Sequence, residues 1–490
     1  MKFIPLLLPV FFFLACAPTE QAPKAHHPTG EIFRSVYHFT PPSGWMNDPN
    51  GMVYYAGEYH LFYQHYPDSN VWGPMHWGHA ISTDLVHWEQ LPIALYPDSL
   101  GYIFSGSAVI DWQNSSGFST GDEPPMVAIF THHHPELSAM GVDTAQYQSL
   151  AFSNDRGRTW EKFAGNPVLP NPGIQDFRDP KVFWHELSQQ WIMILAVMDR
   201  IHLYGSPNLK EWTFLSEFGE TEGAHGGVWE CPDLFALTDP EGNEKWIMLV
   251  SINPGGPQGG SATQYFVGSF DGFEFIPEDD YTRWIDVGAD NYAGVTWSNI
   301  PASDGRRIFL GWMSNWDYAQ VVPTYQWRSA MTLPLELSLT TVKNSPEVRS
   351  FPVREVLEFF EEDTSQTGRL FETGTWINLS GINGQLTTLT LSNDTGEEVS
   401  IMISPENISI NRNKSGIIDF DERFRKIQTF KHYLEVVQGM DIFIDKNSLE
   451  IFVNGGELAM TELVFPTKPY SSFKVTEGIM SKSSRYTGAD

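Results

Sequence analysis

Four stretches of this chain close in the same way, and that repetition limits the fold more than any single residue does. Ser82-Thr83-Asp84-Leu85-Val86-His87-Trp88, Ser153-Asn154-Asp155-Arg156-Gly157-Arg158-Thr159-Trp160, Ser206-Pro207-Asn208-Leu209-Lys210-Glu211-Trp212 and Ser269-Phe270-Asp271-Gly272-Phe273-Glu274-Phe275 each run from a serine through a polar turn to an aromatic ring. A fifth unit is implied by Asp290-Asn291-Tyr292-Ala293 and the apolar run at 307–312, ending near 327–339. Repeats of about 50 to 70 residues built from four strands are the size of propeller blades. No stretch keeps a 3.6-residue period, and 41 Gly, 33 Pro and 14% aromatic residues suit short strands joined by turns. The expectation is an all-β chain with a five-bladed β-propeller over residues 37–344.

A second pattern lies inside the first. Trp45-Met46-Asn47-Asp48-Pro49-Asn50-Gly51, Arg178-Asp179-Pro180 and Trp229-Glu230-Cys231-Pro232 each place an acid within two residues of a proline, just ahead of an apolar strand. Proline pushes the preceding residue out of the helical region, which holds that side chain at the mouth of the strand. The innermost strands of a propeller converge on one axis, so Asp48, Asp179 and Glu230 are expected at equivalent positions around it. Like charges at short range raise the pKa of at least one carboxyl. The result is a protonated acid beside ionised neighbours, the pair that cleavage of a glycosidic bond requires. A metal site is the competing use of three acids. No His pair stands at ligand spacing beside them, and the consecutive His132-His133-His134 cannot all face one ion. No metal and no cofactor are expected.

The ends of the chain read differently. Residues 1–16 carry one early Lys, then an apolar run too short to span a bilayer, then Leu14-Ala15-Cys16, which resembles a bacterial lipobox. Cys16 is the candidate lipid attachment point, with 17–36 as a flexible tether, so the expected location is an exported bacterial lipoprotein at a membrane face. Cys231 is the only other cysteine, which leaves no intramolecular disulfide. Pro346 and Pro352 suggest a linker at 345–356. Alternating strands at 386–391, 399–403, 441–444 and 449–453, with the turn Asn454-Gly455-Gly456 after the last, suggest a β-sandwich over 357–490. The formal charge of −30 repels phosphate backbones and anionic headgroups, so nucleic acid is excluded as a partner and a neutral substrate is favoured. Oligomeric state is not readable from these features.

The motifs resemble glycoside hydrolase family 32, the β-fructofuranosidases that include invertase, exo-inulinase and levanase. The resemblance rests on the three acid motifs together with Phe62-Tyr63-Gln64, Trp77-Gly78-His79, Phe104-Ser105-Gly106-Ser107, Trp312-Met313-Ser314-Asn315-Trp316 and Trp327-Arg328-Ser329, in that order along nearly the whole chain. It implies that Asp48 is a nucleophile, Glu230 the general acid and then base, and Asp179 a stabiliser that binds sugar hydroxyls. The outcome would be retention at the anomeric carbon. Asn47, Gln64, Ser107 and Arg178 match positions that hold the sugar or orient the acids, while Trp72, Phe104 and Trp316 are candidates for the pocket wall. Leu335 stands where family members often carry Arg, which puts one rim contact in doubt. The implied substrates are fructans (levan, inulin) or sucrose, with endo-attack on levan or simple sucrose hydrolysis as alternatives. A non-catalytic fructan-binding lipoprotein is the alternative from another class.

Overall fold

The computed structural model describes residues 31–363 and 368–488. Five antiparallel sheets follow one another along the chain. The first is Gly44–Tyr55, Glu58–Tyr66, His76–Ser82 and Glu89–Leu95 in order, and the next three begin with Tyr102–Ile110, Phe177–His185 and Val228–Thr238. The fifth runs Tyr292–Thr296, Arg307–Met313, Leu335–Val342, Ser345–Pro352. The first strand of each sheet touches the first strand of the next, and the fifth touches the first, so the five close into a ring. This is the five-bladed propeller that the repeats imply.

The ring closes without a covalent link. Trp327–Arg328 pairs in parallel with Gly44 and Trp45, and Val53 bridges to Ser298. The four repeated turns join the third and fourth strands of blades one to four. In the first, Ser82 Oγ accepts from the N–H groups of Asp84 and Leu85, and Asp84 Oδ1 accepts from those of Val86 and His87. Side-chain oxygens thus satisfy backbone donors that the strands leave free.

Residues 345–356 are not a linker. Ser345–Pro352 is the outer strand of blade five, paired residue for residue with Leu335–Val342. An edge strand needs hydrogen bonds on one side only, so Pro346 and Pro352 are tolerated there. Leu335 is buried in the same sheet, opposite Phe309, rather than at a rim.

A sandwich follows. Its six-stranded sheet includes Thr375–Ser380, Gly439–Ile444 and Ser448–Val453, and its five-stranded sheet includes Thr387–Ser392 and Glu398–Ile403. Burial alternates along Thr375–Ser380 and Thr387–Ser392, as expected of strands with one face on a core. That core contains Ile377, Leu389, Ile401, Ile442 and Ile451.

The expected leader, Cys16 and most of the expected tether lie outside the described residues. The described end of that tether is packed, not loose. Phe33 meets Phe465 edge-on at 5.3 Å, Arg34 lies over the Trp327 ring, and the Val36 N–H donates to Asp445. His38 then bridges Asp445 at 2.8 Å and Glu450 at 2.7 Å, all three buried, which binds the start of the propeller chain to the sandwich.

Candidate active site

Every innermost strand slips register at one level of the axis. The breaks fall between Asn47 and Pro49, Ile103 and Gly106, Arg178 and Lys181, Glu230 and Asp233, and Tyr292 and Val295. Each is a β-bulge, which bends the strand and re-aims one side chain. Aligned on these breaks, Asp48, Ser105, Asp179, Cys231 and Ala293 are equivalent, each preceding a Pro or Gly. Asp179, Cys231 and Ala293 sit at φ values of 63°, 44° and 53°, a left-handed conformation that non-glycine residues seldom adopt. Glu230 is therefore not equivalent to Asp48 and Asp179, as the sequence suggested, but one residue earlier in the bulge.

The bulges gather the acids at one mouth of the ring, around a cavity of about 350 Å³ lined by Asp48, Asp179, Glu230, Arg178, Trp72 and Trp316, among others. Ser105 Oγ donates to Asp48 Oδ2 at 2.9 Å, while Asp48 Oδ1 has no hydrogen-bond partner. Arg178 donates to Glu230 Oε1 through Nη2 at 2.8 Å and Nε at 3.2 Å, and lies 3.9 Å from Asp179 Oδ2. The Tyr292 hydroxyl donates to Glu230 Oε2. The Cys231 N–H donates to Asp179 Oδ2 at 3.1 Å, and its thiol sits 3.7 Å from both Asp48 Oδ2 and Asp179 Oδ2.

Arg178 serves Asp176, Asp179 and Glu230 together, and Asp48 lies beyond its reach. Burial, followed by the charge of Glu230, raises the Asp48 carboxyl above its ordinary range. Burial pushes Asp179 up to about 7, opposed by Arg178 and assisted by Glu230 and Asp48. One proton therefore belongs to the cluster as a whole near neutrality. Both Glu230 oxygens accept from a neighbour, Oε1 from Arg178 and Oε2 from Tyr292.

Residues 38–350 match the glycosyl hydrolases family 32 N-terminal domain, and residues 343–485 match the glycosyl hydrolases family 32 C-terminal domain. The chain belongs to glycosyl hydrolase family 32. A levanase of Bacillus subtilis is 46% identical over 484 residues, covering 92% of this chain and 70% of that protein. Among solved structures, an exo-inulinase from Aspergillus awamori superposes with a TM-score of 0.85 at 33% identity, over 94% of this chain and 99% of that one. A fructofuranosidase from Schwanniomyces occidentalis, solved with fructose, gives 0.82 at 34%, over 94% and 99%.

The family 32 enzyme brings together all but one of the residues that its sequence offers for catalysis and sugar binding. Gln64 faces Asn47 across the first two strands, and its amide nitrogen is buried without a partner. Asn47 accepts from Trp45 Nε1 at 2.7 Å. Trp316 stacks on Trp45 at 5.7 Å, Phe104 stacks on His133 at 4.3 Å, and Trp72, 37% exposed, meets Phe104 edge-on. Ser107 is the exception. Its hydroxyl accepts from the Val182 N–H at 2.9 Å and lines no part of the cavity. Ser107 lies two residues beyond the bulge, deeper along the axis, so Ser105 occupies the place expected of it.

Ser105, Tyr292, Asp176 and His133 were not anticipated. The signal for Ser105 and Tyr292 was present in the repeat, because Ser105-Gly106 and Ala293-Gly294 occupy the Asp-Pro position with Gly in place of Pro. His133 serves as a wall of the cavity, and among the described residues no group of three or more His, Cys, Asp or Glu could hold a metal ion.

Proposed function

We propose that this enzyme is a retaining β-fructosidase that releases fructose from levan, inulin or sucrose by double displacement. The observation that carries the reading is the carboxyl trio at one cavity, in which Asp48 keeps one oxygen free while its other is held by Ser105. Asp48 Oδ1 attacks the anomeric carbon, and the leaving oxygen takes a proton from Glu230. Water, deprotonated by Glu230, then cleaves the fructosyl ester. The proton reaches Glu230 as sugar binds. Hydroxyls donating to Asp179 stabilise its ionised form, which releases the cluster's proton to the neighbouring acid. Asp179 thus binds sugar and sets the protonation of the pair.

A cavity of about 350 Å³ walled by Trp72, Phe104 and Trp316 suits a chain end rather than the middle of a polymer, which favours exo-attack. A binder would gain nothing from three acids crowded at one cavity, because like charges at short range oppose one another's ionisation. Incubation with levan, inulin and sucrose, followed by chromatography, tests the reading. Free fructose supports it, oligomers indicate endo-attack, and no product leaves the non-catalytic binder. Asp48→Ala should lose turnover by ~10⁴-fold or more while keeping its circular dichroism and Tm; near-normal activity would remove Asp48 as nucleophile. Export as a lipoprotein anchored through Cys16 completes the proposal, and an unlabelled product after growth on radioactive fatty acid would refute that part.

A further inference from the structure

The propeller has a second mouth, and its cavity is larger than the first. At the far ends of the innermost strands lies a cavity of about 480 Å³, reached past Ile110, Trp184 and Ala236. Trp184 is five residues beyond Asp179, roughly 16 Å along an extended strand. Between the two mouths stands a plug. Lys181 Nζ lies 3.0 Å from Asp233 Oδ2 and donates to the Thr296 carbonyl, while Asp233 accepts the Thr296 N–H. Lys181 and Asp233 are buried, so the two cavities share an axis but no ligand.

The walls of this cavity are aromatic, and their rings are held in place. Trp112 Nε1 donates to Asn299 at 3.0 Å, Trp184 Nε1 to Glu186 at 2.7 Å and Trp246 Nε1 to Glu244 at 3.2 Å. Each indole has its polar edge satisfied by protein, which leaves ring faces as the available surface. Trp112 is 62% exposed, unusual for a tryptophan that nothing covers. Arg307 lies over the Phe235 ring at 4.9 Å, and no described residue accepts an N–H from its guanidinium. An unpaired donor fork beside flat apolar rings is suited to a ligand that offers both C–H faces and hydroxyl acceptors.

Charge argues against an anion. The lining carries three carboxylates, Asp111, Glu186 and Asp233, against Lys181 and Arg307, and the whole chain carries −30. We propose that this second mouth is a binding site for a short neutral oligosaccharide, and, resting on the substrate assigned above, for a segment of the fructan chain. Its role is to hold polymer at the enzyme while the opposite mouth works on a free end, which raises the local concentration of ends.

Calorimetric titration of the full-length Asp48→Ala protein with a fructo-oligosaccharide tests this, since that variant preserves the sugar. Two sites per chain are expected. Adding Trp112→Ala should remove one of them or weaken it at least tenfold, and Arg307→Gln should weaken the same one. Trp112 is exposed, so its loss leaves the fold intact, and an unchanged Tm verifies that. A single site in Asp48→Ala, two sites that persist in both further variants, or preferential binding of citrate would each overturn the proposal. Hydrolysis by the unaltered enzyme reads the function separately. Fructose release with only one binding site discards the second mouth alone, whereas a Trp112-dependent site without any hydrolysis discards the catalytic reading alone.

Discussion

Asp48 holds two opposing influences on its proton. Burial and Glu230 raise its pKa, while the nearby Asn47 side chain and the Ser105 hydroxyl lower it. A nucleophile must be ionised, so kcat/KM falls as pH drops through that pKa. Ser105→Ala removes one of the stabilising donors, and the acidic limb of the kcat/KM profile should move to higher pH by about one unit, equal to ~1.4 kcal/mol. A limb that stays in place would show that some other group titrates there. Asp179 gives the complementary case. A buried acid whose folded pKa is raised to about 7 stabilises the fold below the ordinary carboxylate pKa, and that contribution is lost as pH rises through 7. Asp179→Asn should therefore abolish activity yet melt a few degrees above the parent at pH 8, with little difference at pH 4. Differential scanning fluorimetry at the two pH values reads both halves.

At the scale of the strand, the bulge is the unit that matters. Five strands break register at one level, and the residue extruded at each break supplies Asp48, Ser105, Asp179, Cys231 or Ala293 to the axis. Three of the five were legible in the sequence because proline marks them. The other two use glycine, a residue too common in turns to stand out, which is why the sequence points to Ser107 rather than to Ser105. Glu230 was located correctly in sequence but misplaced by one position in the repeat, because the acid nearest the proline in its motif is not the residue that fills the bulge. The outer strand Ser345–Pro352 was missed for a different reason. Proline argues against a central strand and is silent about an edge. Gly106 shows how tight the device is, since a Cβ there would lie 2.0 Å from the Ile129 carbonyl oxygen. Gly106→Ala should cost roughly 2–4 kcal/mol, visible as a lower denaturant midpoint, together with loss of activity as Ser105 shifts.

The whole molecule is joined by buried charge. Arg412, from the sandwich, lies 2.7 Å from Asp290 of the propeller and 2.9 Å from Glu462, all three buried. Arg412→Met leaves both carboxylates without their cation and should cost ~3–5 kcal/mol, read as a lower unfolding midpoint. His38 makes the second clasp. Its carboxylate partners hold its pKa up to about 9 against the cost of burial. A raised histidine stabilises fully below its ordinary value of 6.5 and loses that contribution as pH rises to 9, on the order of 3 kcal/mol. The Tm gap between the parent and His38→Gln should accordingly shrink across that interval, and a constant gap would mean the ring is neutral throughout.

These clasps also set an order in time. Residues 36–38 find their partners only at 445–450, and the strand that locks the first blade into the ring is 327–328. A nascent polypeptide leaving the ribosome would expose Asp48, Asp179 and Glu230 long before either event, with nothing to hold them around one sugar. Residues 445–450 must be made and docked before the first molecule of substrate can be cut.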